Sequence, residues 1–85
     1  MIQSVARAFA LLEALHTRGA VPMSLGELAG LTGLKAPTAH NLLATLAALG
    51  YVEHDAETRR YALGEKARAL GRWQFIVSAL VDAAH

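Results

Sequence analysis

The sequence predicts a mainly α-helical domain that carries a small two-stranded hairpin before its last helix. Three observations support this fold class. Apolar residues recur at helical spacing in three segments, Gly or Pro separates those segments at short intervals, and the spacing becomes that of strands after residue 50. The predicted order is helix, helix, helix, hairpin, helix, and the connections are short enough for one compact core.

The first helix is predicted over residues 4–17. Ser4 is expected to cap its N-terminus and Gly19 to end it in a left-handed conformation. His16 is interpreted as a partly buried helix residue rather than a metal ligand. The apolar periodicity places residues on one face and on its flank, namely Val5, Phe9, Leu12 and His16, and then Ala8, Leu11 and Leu15.

The next two helices have clear start signals. Ser24 and Glu27 have the spacing of a capping box, with Met23 and Leu28 at the staple positions, so a second helix is predicted over residues 24–33. Pro37 is tolerated only in a first helical turn, which predicts a third helix over residues 36–49. Its expected buried stripe is Ala39, Leu42, Leu43, Leu46 and Leu49.

The hairpin follows directly. Residues 51–54 and 60–63 are the strand candidates, and residues 55–59 form its polar tip. A last helix is predicted after Gly64, with Glu65 in its first turn. We therefore expect a domain over residues 1–64 and a linker or dimerisation helix over residues 65–85.

The segment from Ser24 to Leu42 has helix-turn-helix spacing. It has a small residue where two helices cross, a glycine for the turn, an apolar plug after the turn and two buried positions on the following helix. The hairpin after it makes the pattern that of a winged helix-turn-helix. The alternative is an ordinary three-helix core with a tight turn. The five matched positions are Ala29, Gly33, Leu34, Ala39 and Leu42.

The outward face of the third helix is typical of a groove-binding helix. It carries small or hydrogen-bonding residues, and there is no acid from Lys35 to Val52. An acid would be repelled by phosphate, whereas Asn and His can read base edges, Asn best as a bidentate partner of adenine. The alternative is that His40 and Asn41 are merely solvated. The outward residues are Pro37, His40, Asn41, Ala44 and Ala48, with Thr38 and Thr45 beside them.

The hairpin carries both signs of charge: Glu53, Asp55 and Glu57 against Arg59 and Arg60. If it touches DNA, the two arginines would face phosphate or the minor groove. Replacement of Arg60 by Ala would then weaken binding to all duplexes about equally. The alternative is a surface hairpin that neutralises itself.

Composition narrows the classes of function. The 85 residues carry a net charge of +1 and no cysteine, which excludes a disulfide scaffold and a thiolate metal site. The four histidines lie in different elements, with no pair at i, i+4. We expect no cofactor, no metal and no enzyme activity. With neither a signal peptide nor a membrane span in the sequence, we expect a cytoplasmic protein.

The apolar content of 54% is high for so small a domain. Much of it lies at the C-terminal end, where apolar residues cover all sides of the last predicted helix, and such a helix must be buried. We expect it to pack against a second subunit or another domain. The candidate dimer-interface residues are Trp73, Phe75, Ile76, Val77, Leu80 and Val81.

Four segments resemble the N-terminal winged helix-turn-helix domain of IclR-type (isocitrate lyase regulator) bacterial transcription factors. They are SVARAFALLEAL, LGELAGLTGL, TAHNLLATLAALGYVEHD and ETRRYALG, and the resemblance covers about residues 3–72. It implies a homodimer that binds double-stranded DNA at a palindromic operator. It also implies a larger C-terminal domain that senses a small organic molecule. That domain is not among these residues, so the chain is interpreted as a DNA-binding fragment or a stand-alone relative.

The resemblance also implies roles for single residues. Lys35, Thr38, His40 and Asn41 would lie at the groove, Ser24 would offer the start of the second helix to a phosphate, and Arg59 and Arg60 would be the hairpin contacts. Two positions depart from the family pattern. Asn41 stands where many relatives have arginine, and Arg59 stands where relatives often have glycine. A positive φ at Arg59 would cost about 1 kcal/mol.

Overall fold

The computed structural model describes residues 1–19 and 21–72. The elements follow the predicted order: helices α1, α2 and α3, then strands β1 and β2, then helix α4, which begins at residue 65 and is described as far as residue 72. Their bounds are Gln3–Thr17, Leu25–Thr32, Ala36–Leu49, Val52–His54 and Tyr61–Leu63 for the first five. The candidate dimer-interface residues, Trp73 to Val81, lie outside the described residues.

Helix α1 packs through a narrower face than its sequence pattern indicated. Leu11 and Leu15 are fully buried against α2 and α3, whereas Val5 and Phe9 remain more than half exposed. His16 is exposed too, so its expected partial burial is wrong. The predicted Ser4 cap is also wrong, because α1 begins at Gln3 after Ile2 and no side chain caps it.

Helix α2 begins as the capping box predicted. The Ser24 hydroxyl accepts from the Glu27 backbone N–H at 3.1 Å, and the Glu27 carboxylate accepts from the Ser24 N–H at 3.2 Å. The flanking Met23 and Leu28 are both fully buried. Gly33 ends α2 with a φ of 72°, the left-handed turn that leads into α3.

Helix α3 lies on the core through Ala39, Leu43 and Leu46. Leu42 is half-buried beside them, as the predicted stripe requires. Leu49 is 53% exposed, so its predicted burial is wrong. It lies at the last position of α3, where an open groove replaces the core.

The wing, residues 52–63, is an antiparallel hairpin in which Val52 pairs with Leu63 and His54 with Tyr61. The rings of His54 and Tyr61 stack with their centroids 4.1 Å apart. The wing is joined to the segment before α2, because Met23 and Tyr61 exchange two backbone hydrogen bonds of 2.9 and 2.7 Å. The end of the wing therefore lies directly beside the start of α2.

One core holds these elements together. It joins α1, α2, α3 and both strands, and the buried residues are Leu11, Leu15, Met23, Leu28, Ala39, Leu43, Leu46, Val52 and Tyr61. Within residues 1–19 and 21–72, none of the helices has the length and apolarity that crossing a membrane requires.

Candidate nucleic-acid interface

The outer face of α3 is exposed where the sequence predicted it. Pro37, His40, Asn41, Ala44 and Ala48 are all exposed, and so is Thr45, whereas Thr38 is half-buried. The Thr45 hydroxyl donates to the Asn41 carbonyl oxygen at 3.2 Å, one turn earlier. The carboxamide of Asn41 and the imidazole of His40 form no hydrogen bond within the described part of the chain, so both can meet a ligand.

The N-terminal end of α3 favours an anion. Its first turn contains no acid, and no side chain caps it. Unsatisfied backbone N–H groups at such an end carry partial positive charge. Lys35, the exposed N-cap residue, forms no ion pair within residues 1–19 and 21–72 and adds a full positive charge. A phosphate group would be attracted to this end of α3.

The tip of the wing is held by its own backbone and by Asp55. The Asp55 carboxylate accepts from the N–H groups of Glu57 at 2.8 Å and Thr58 at 3.2 Å. Arg59 has a φ of 60°, and its N–H donates to the Asp55 carbonyl oxygen at 2.8 Å. The exposed Arg59 side chain has no partner within the described ranges, so its charge is available to a duplex.

Arg60 points back to the protein. Its Nη1 lies 2.9 Å from Oε1 of Glu27 and 3.3 Å from the carbonyl oxygen of Pro22. This contact could not be predicted from a local pattern, because 33 residues separate the two charged side chains. A shared register between the wing and the segment before α2 brings them together, and that register depends on the whole fold.

Ser24 also has its hydrogen bonds within the protein. Its hydroxyl and its N–H are both used in the capping box with Glu27. The hydrogen bonds from Ser24, followed by the one from Arg60, hold the pKa of Glu27 below its usual value. A carboxylate therefore occupies the end of α2 where the sequence predicted a phosphate contact.

A second group of ion pairs lies at the base of the wing. Arg68 on α4 is 3.7 Å from Glu53 on β1 and 3.4 Å from Glu65, while Arg72 is 2.6 Å from Glu65. The bond from Arg72 is the main reason that the pKa of Glu65 lies below its usual value. These cations are partly neutralised, whereas Lys35 and Arg59 form no ion pair with residues 1–19 or 21–72.

An apolar groove of about 690 Å³ lies on another side of the molecule. Phe9 and Leu12 of α1, Leu49 of α3 and Leu70 of α4 line it. In residues 1–19 and 21–72 no three His, Asp or Glu side chains form a group that could hold a metal ion.

The sequence over residues 4–56 matches the model of the IclR helix-turn-helix domain. That match covers more than half of the 85 residues. The chain belongs to the IclR family. It is a winged helix-turn-helix DNA-binding domain of a transcriptional regulator, and its relatives are regulators rather than enzymes.

Relatives of the IclR family match the chain over most of its length. The HTH-type transcriptional regulator XynR of Escherichia coli K12 is 35% identical over 80 residues, which is 94% of this chain and 31% of XynR. The glycerol operon regulatory protein of Streptomyces griseus is 41% identical over 70 residues, or 82% of this chain and 27% of that protein. The chain thus spans less than a third of the length of these relatives.

Solved IclR-family structures have the same fold. HmgR of Pseudomonas aeruginosa gives a TM-score of 0.76 at 33% identity and covers 82% of this chain and 28% of HmgR. An IclR transcriptional regulator of Alicyclobacillus acidocaldarius gives 0.77 at 32% identity, covering 85% of this chain and 29% of that chain.

Proposed function

We propose that this domain reads a specific DNA sequence by placing α3 in the major groove. One observation carries the proposal: the exposed face of α3 is free of acids and offers an amide, an imidazole and small side chains. Small residues allow a helix to approach base edges closely, and an amide can bond to adenine at two positions. The wing would lie over the adjacent backbone, with Arg59 as its free cation.

The residues of this interface would have different roles. His40 and Asn41 would contact base edges, because both are exposed on the outer face of α3. Lys35, Thr38 and Thr45 would contact phosphate or sugar at the borders of that face, since phosphate contacts fix the register of a helix on the duplex. For Ser24 and Arg60 the hydrogen bonds to Glu27 favour a role within the protein instead.

We further propose that two copies bind a palindromic operator, with half-sites about one helical turn, roughly 34 Å, apart. The apolar groove beside α1 and α4 supports a homodimer, because Phe9, Leu49 and Leu70 would be covered in it. The apolar residues Trp73, Phe75, Ile76, Val77, Leu80 and Val81 would extend the same interface. Since chromosomal DNA lies in the bacterial cytoplasm, the domain would act there.

A response to a small molecule would belong to a longer protein. The matched regulators are about three times as long as this chain. We therefore propose that an effector acts through protein segments other than residues 1–85 and reaches the domain through α4.

Selection from a pool of randomised duplexes tests the proposal. The 85-residue chain is expected to enrich one sequence with two inverted half-sites, whereas its Asn41→Ala variant is expected to lose preference at one base pair of each half-site. Enrichment of no sequence would contradict the proposal. Enrichment of a single half-site would contradict the dimer alone.

The apolar groove also favours a second candidate, a module that binds protein and not DNA. The low net charge of +1 agrees with it. A salt titration of duplex binding separates the two candidates. If the domain binds DNA, the log of its affinity should fall as the log of the salt concentration rises, by about 0.9 for each phosphate that the protein neutralises. A protein-binding module would show no salt-dependent affinity for duplexes.

A further inference from the structure

A charged contact and a pair of backbone hydrogen bonds join the wing to the start of α2. Arg60 Nη1 donates to Glu27 Oε1 at 2.9 Å and to the Pro22 carbonyl oxygen at 3.3 Å. The next residue, Tyr61, exchanges two backbone hydrogen bonds with Met23. Arg60 and Tyr61 of the wing are therefore hydrogen-bonded to Pro22 and Met23, respectively, in the segment before α2.

We propose that Arg60 and Glu27 form a strut that fixes the wing relative to α3 on DNA. Arg60 is then a positioning residue rather than a phosphate contact. The proposal depends on the proposed function, in which α3 and the wing contact one duplex.

The position of the Glu27 carboxylate is well determined. Its Oε1 accepts from the Ser24 N–H at 3.2 Å as well as from Arg60, and the Ser24 hydroxyl holds the Glu27 N–H in return. The carboxylate is thus bonded within the first turn of α2 as well as to Arg60. A guanidinium bound to a fixed carboxylate and a fixed carbonyl oxygen is oriented by both.

Charge supports the same role. A carboxylate at the start of α2 would repel a nearby phosphate, and the positive charge of Arg60 cancels it at 2.9 Å. Arg59, one residue earlier, has no such partner in the described part of the chain. Neighbouring arginines therefore have different roles: Arg59 carries the free charge of the wing, and Arg60 holds the wing in place.

The first test measures affinity for a random-sequence duplex. Glu27→Gln removes the charge but keeps the capping box, since Gln serves at this position as well as Glu. The strut predicts that Glu27→Gln and Arg60→Gln each weaken binding about two- to fivefold. The double variant should lose no more affinity than the single variant that binds less tightly, because both changes remove the same interaction between Arg60 and Glu27. The salt dependence should stay as in the wild type.

A phosphate contact at Arg60 predicts the opposite results. Glu27→Gln would then tighten binding, because it removes a competing acid. Arg60→Gln would lower the salt slope, which is the decrease in log affinity per log unit of salt concentration, by about 0.9. Either result would overturn the strut.

The second test needs no DNA. Because the chain has no cysteine, spin labels can be placed on Ala56→Cys in the wing and Ala48→Cys in α3, both exposed positions. The distance distribution between the labels should broaden in Arg60→Gln and in Glu27→Gln. It should stay unchanged in Arg59→Gln, a matched control that removes one positive charge at the neighbouring residue. An unchanged distribution in all three variants would overturn the proposal.

The two tests fail separately. If the wild-type chain binds no duplex, the proposed function is wrong, whereas the distance measurement still decides whether Arg60 and Glu27 fix the wing.

Discussion

The outer face of α3 and the wing belong to one candidate interface but are built in opposite ways. On the outer face of α3 the backbone is helical, and the side chains of His40 and Asn41 make no hydrogen bonds in the described part of the chain. In the wing, Asp55 and Arg60 are both held by bonds within the protein. Free side chains on a rigid helix are suited to reading a sequence, and a tied hairpin is suited to positioning.

The low net charge of +1 is divided unevenly over the domain. A DNA-binding domain is expected to be basic, yet here Arg60, Arg68 and Arg72 are paired with glutamates. Lys35 and Arg59, which lie at the proposed interface, are exposed and form no ion pair within the described residues. The net charge of +1 is therefore the sum of arginines that form ion pairs within the protein and of cations that remain available to a duplex.

The largest effect is expected at Gly64, which lies between the wing and α4 and packs against the backbone that follows α3. A Cβ there would clash with the Gly50 carbonyl oxygen and lie 2.9 Å from the Val52 nitrogen. Gly64→Ala should lower the free energy of unfolding by about 3 kcal/mol, measured by urea denaturation, because backbone atoms have to move.

Gly30→Ala is the matched control. Nothing lies within 4 Å of the added methyl group, and the position is helical and exposed. This change should stabilise the chain by about 0.5–1 kcal/mol. An equal effect of both substitutions would show that the wing is not held tightly against α3.

The next effect concerns reading of sequence by α3. Asn41→Ala should reduce the preference for the selected duplex over its single-base variants by about 1–3 kcal/mol, because a bidentate contact is lost. Competition binding with labelled duplexes measures it. The control is Thr45→Ala, which removes a proposed phosphate or sugar contact and should leave this preference unchanged. If Asn41→Ala weakens all duplexes equally, α3 does not read sequence through this residue.

A smaller effect is expected at the wing tip, where one substitution should raise stability and weaken the contact with DNA. Arg59 has a φ of 60°, so Arg59→Gly should raise the free energy of unfolding by about 1 kcal/mol. The same change removes the free cation of the wing and should reduce the salt slope of duplex binding by about 0.9. A variant that is more stable and binds with an unchanged slope would show that the wing tip does not touch phosphate.

The smallest effect is a dependence of stability on pH. The pKa of Glu27 is lowered in the folded state, so the stability that its carboxylate contributes is present above the usual pKa of glutamate and is lost as the pH falls through the lower folded pKa. Thermal denaturation from pH 6 to pH 3 should show a shallower decrease of Tm in Glu27→Gln than in wild type. Glu65, whose pKa is also lowered, accounts for part of the decrease that remains. Identical profiles would show that the Glu27 pairing does not stabilise the fold.

Local signals made most of the fold predictable. The capping box at Ser24 and Glu27, Pro37 in the first turn of α3, and the glycines at 33 and 50 each act over a few residues, and the structure confirms all of them. The exposed face of α3 was predictable for the same reason, since helical periodicity alone places its residues outward.

What failed depends on tertiary contacts. The pattern of α1 placed Val5, Phe9 and His16 on its apolar face, but all three are exposed, and the fully buried residues are Leu11 and Leu15 on the flank. Likewise, the contact between Arg60 and Glu27 needs the pairing of Tyr61 with Met23, which no local pattern encodes. Long-range partners determine which of several apolar or charged faces is used.

The most direct test of sequence reading by α3 is a salt titration of the 85-residue chain on the selected duplex and on a scrambled duplex of equal length. We expect tighter binding to the selected duplex at every salt concentration, with affinity for both duplexes falling as salt rises. In the Asn41→Ala variant the difference between the duplexes should shrink while the salt slope stays the same. Equal affinity of the wild-type chain for both duplexes, or affinity that ignores salt, would contradict the account.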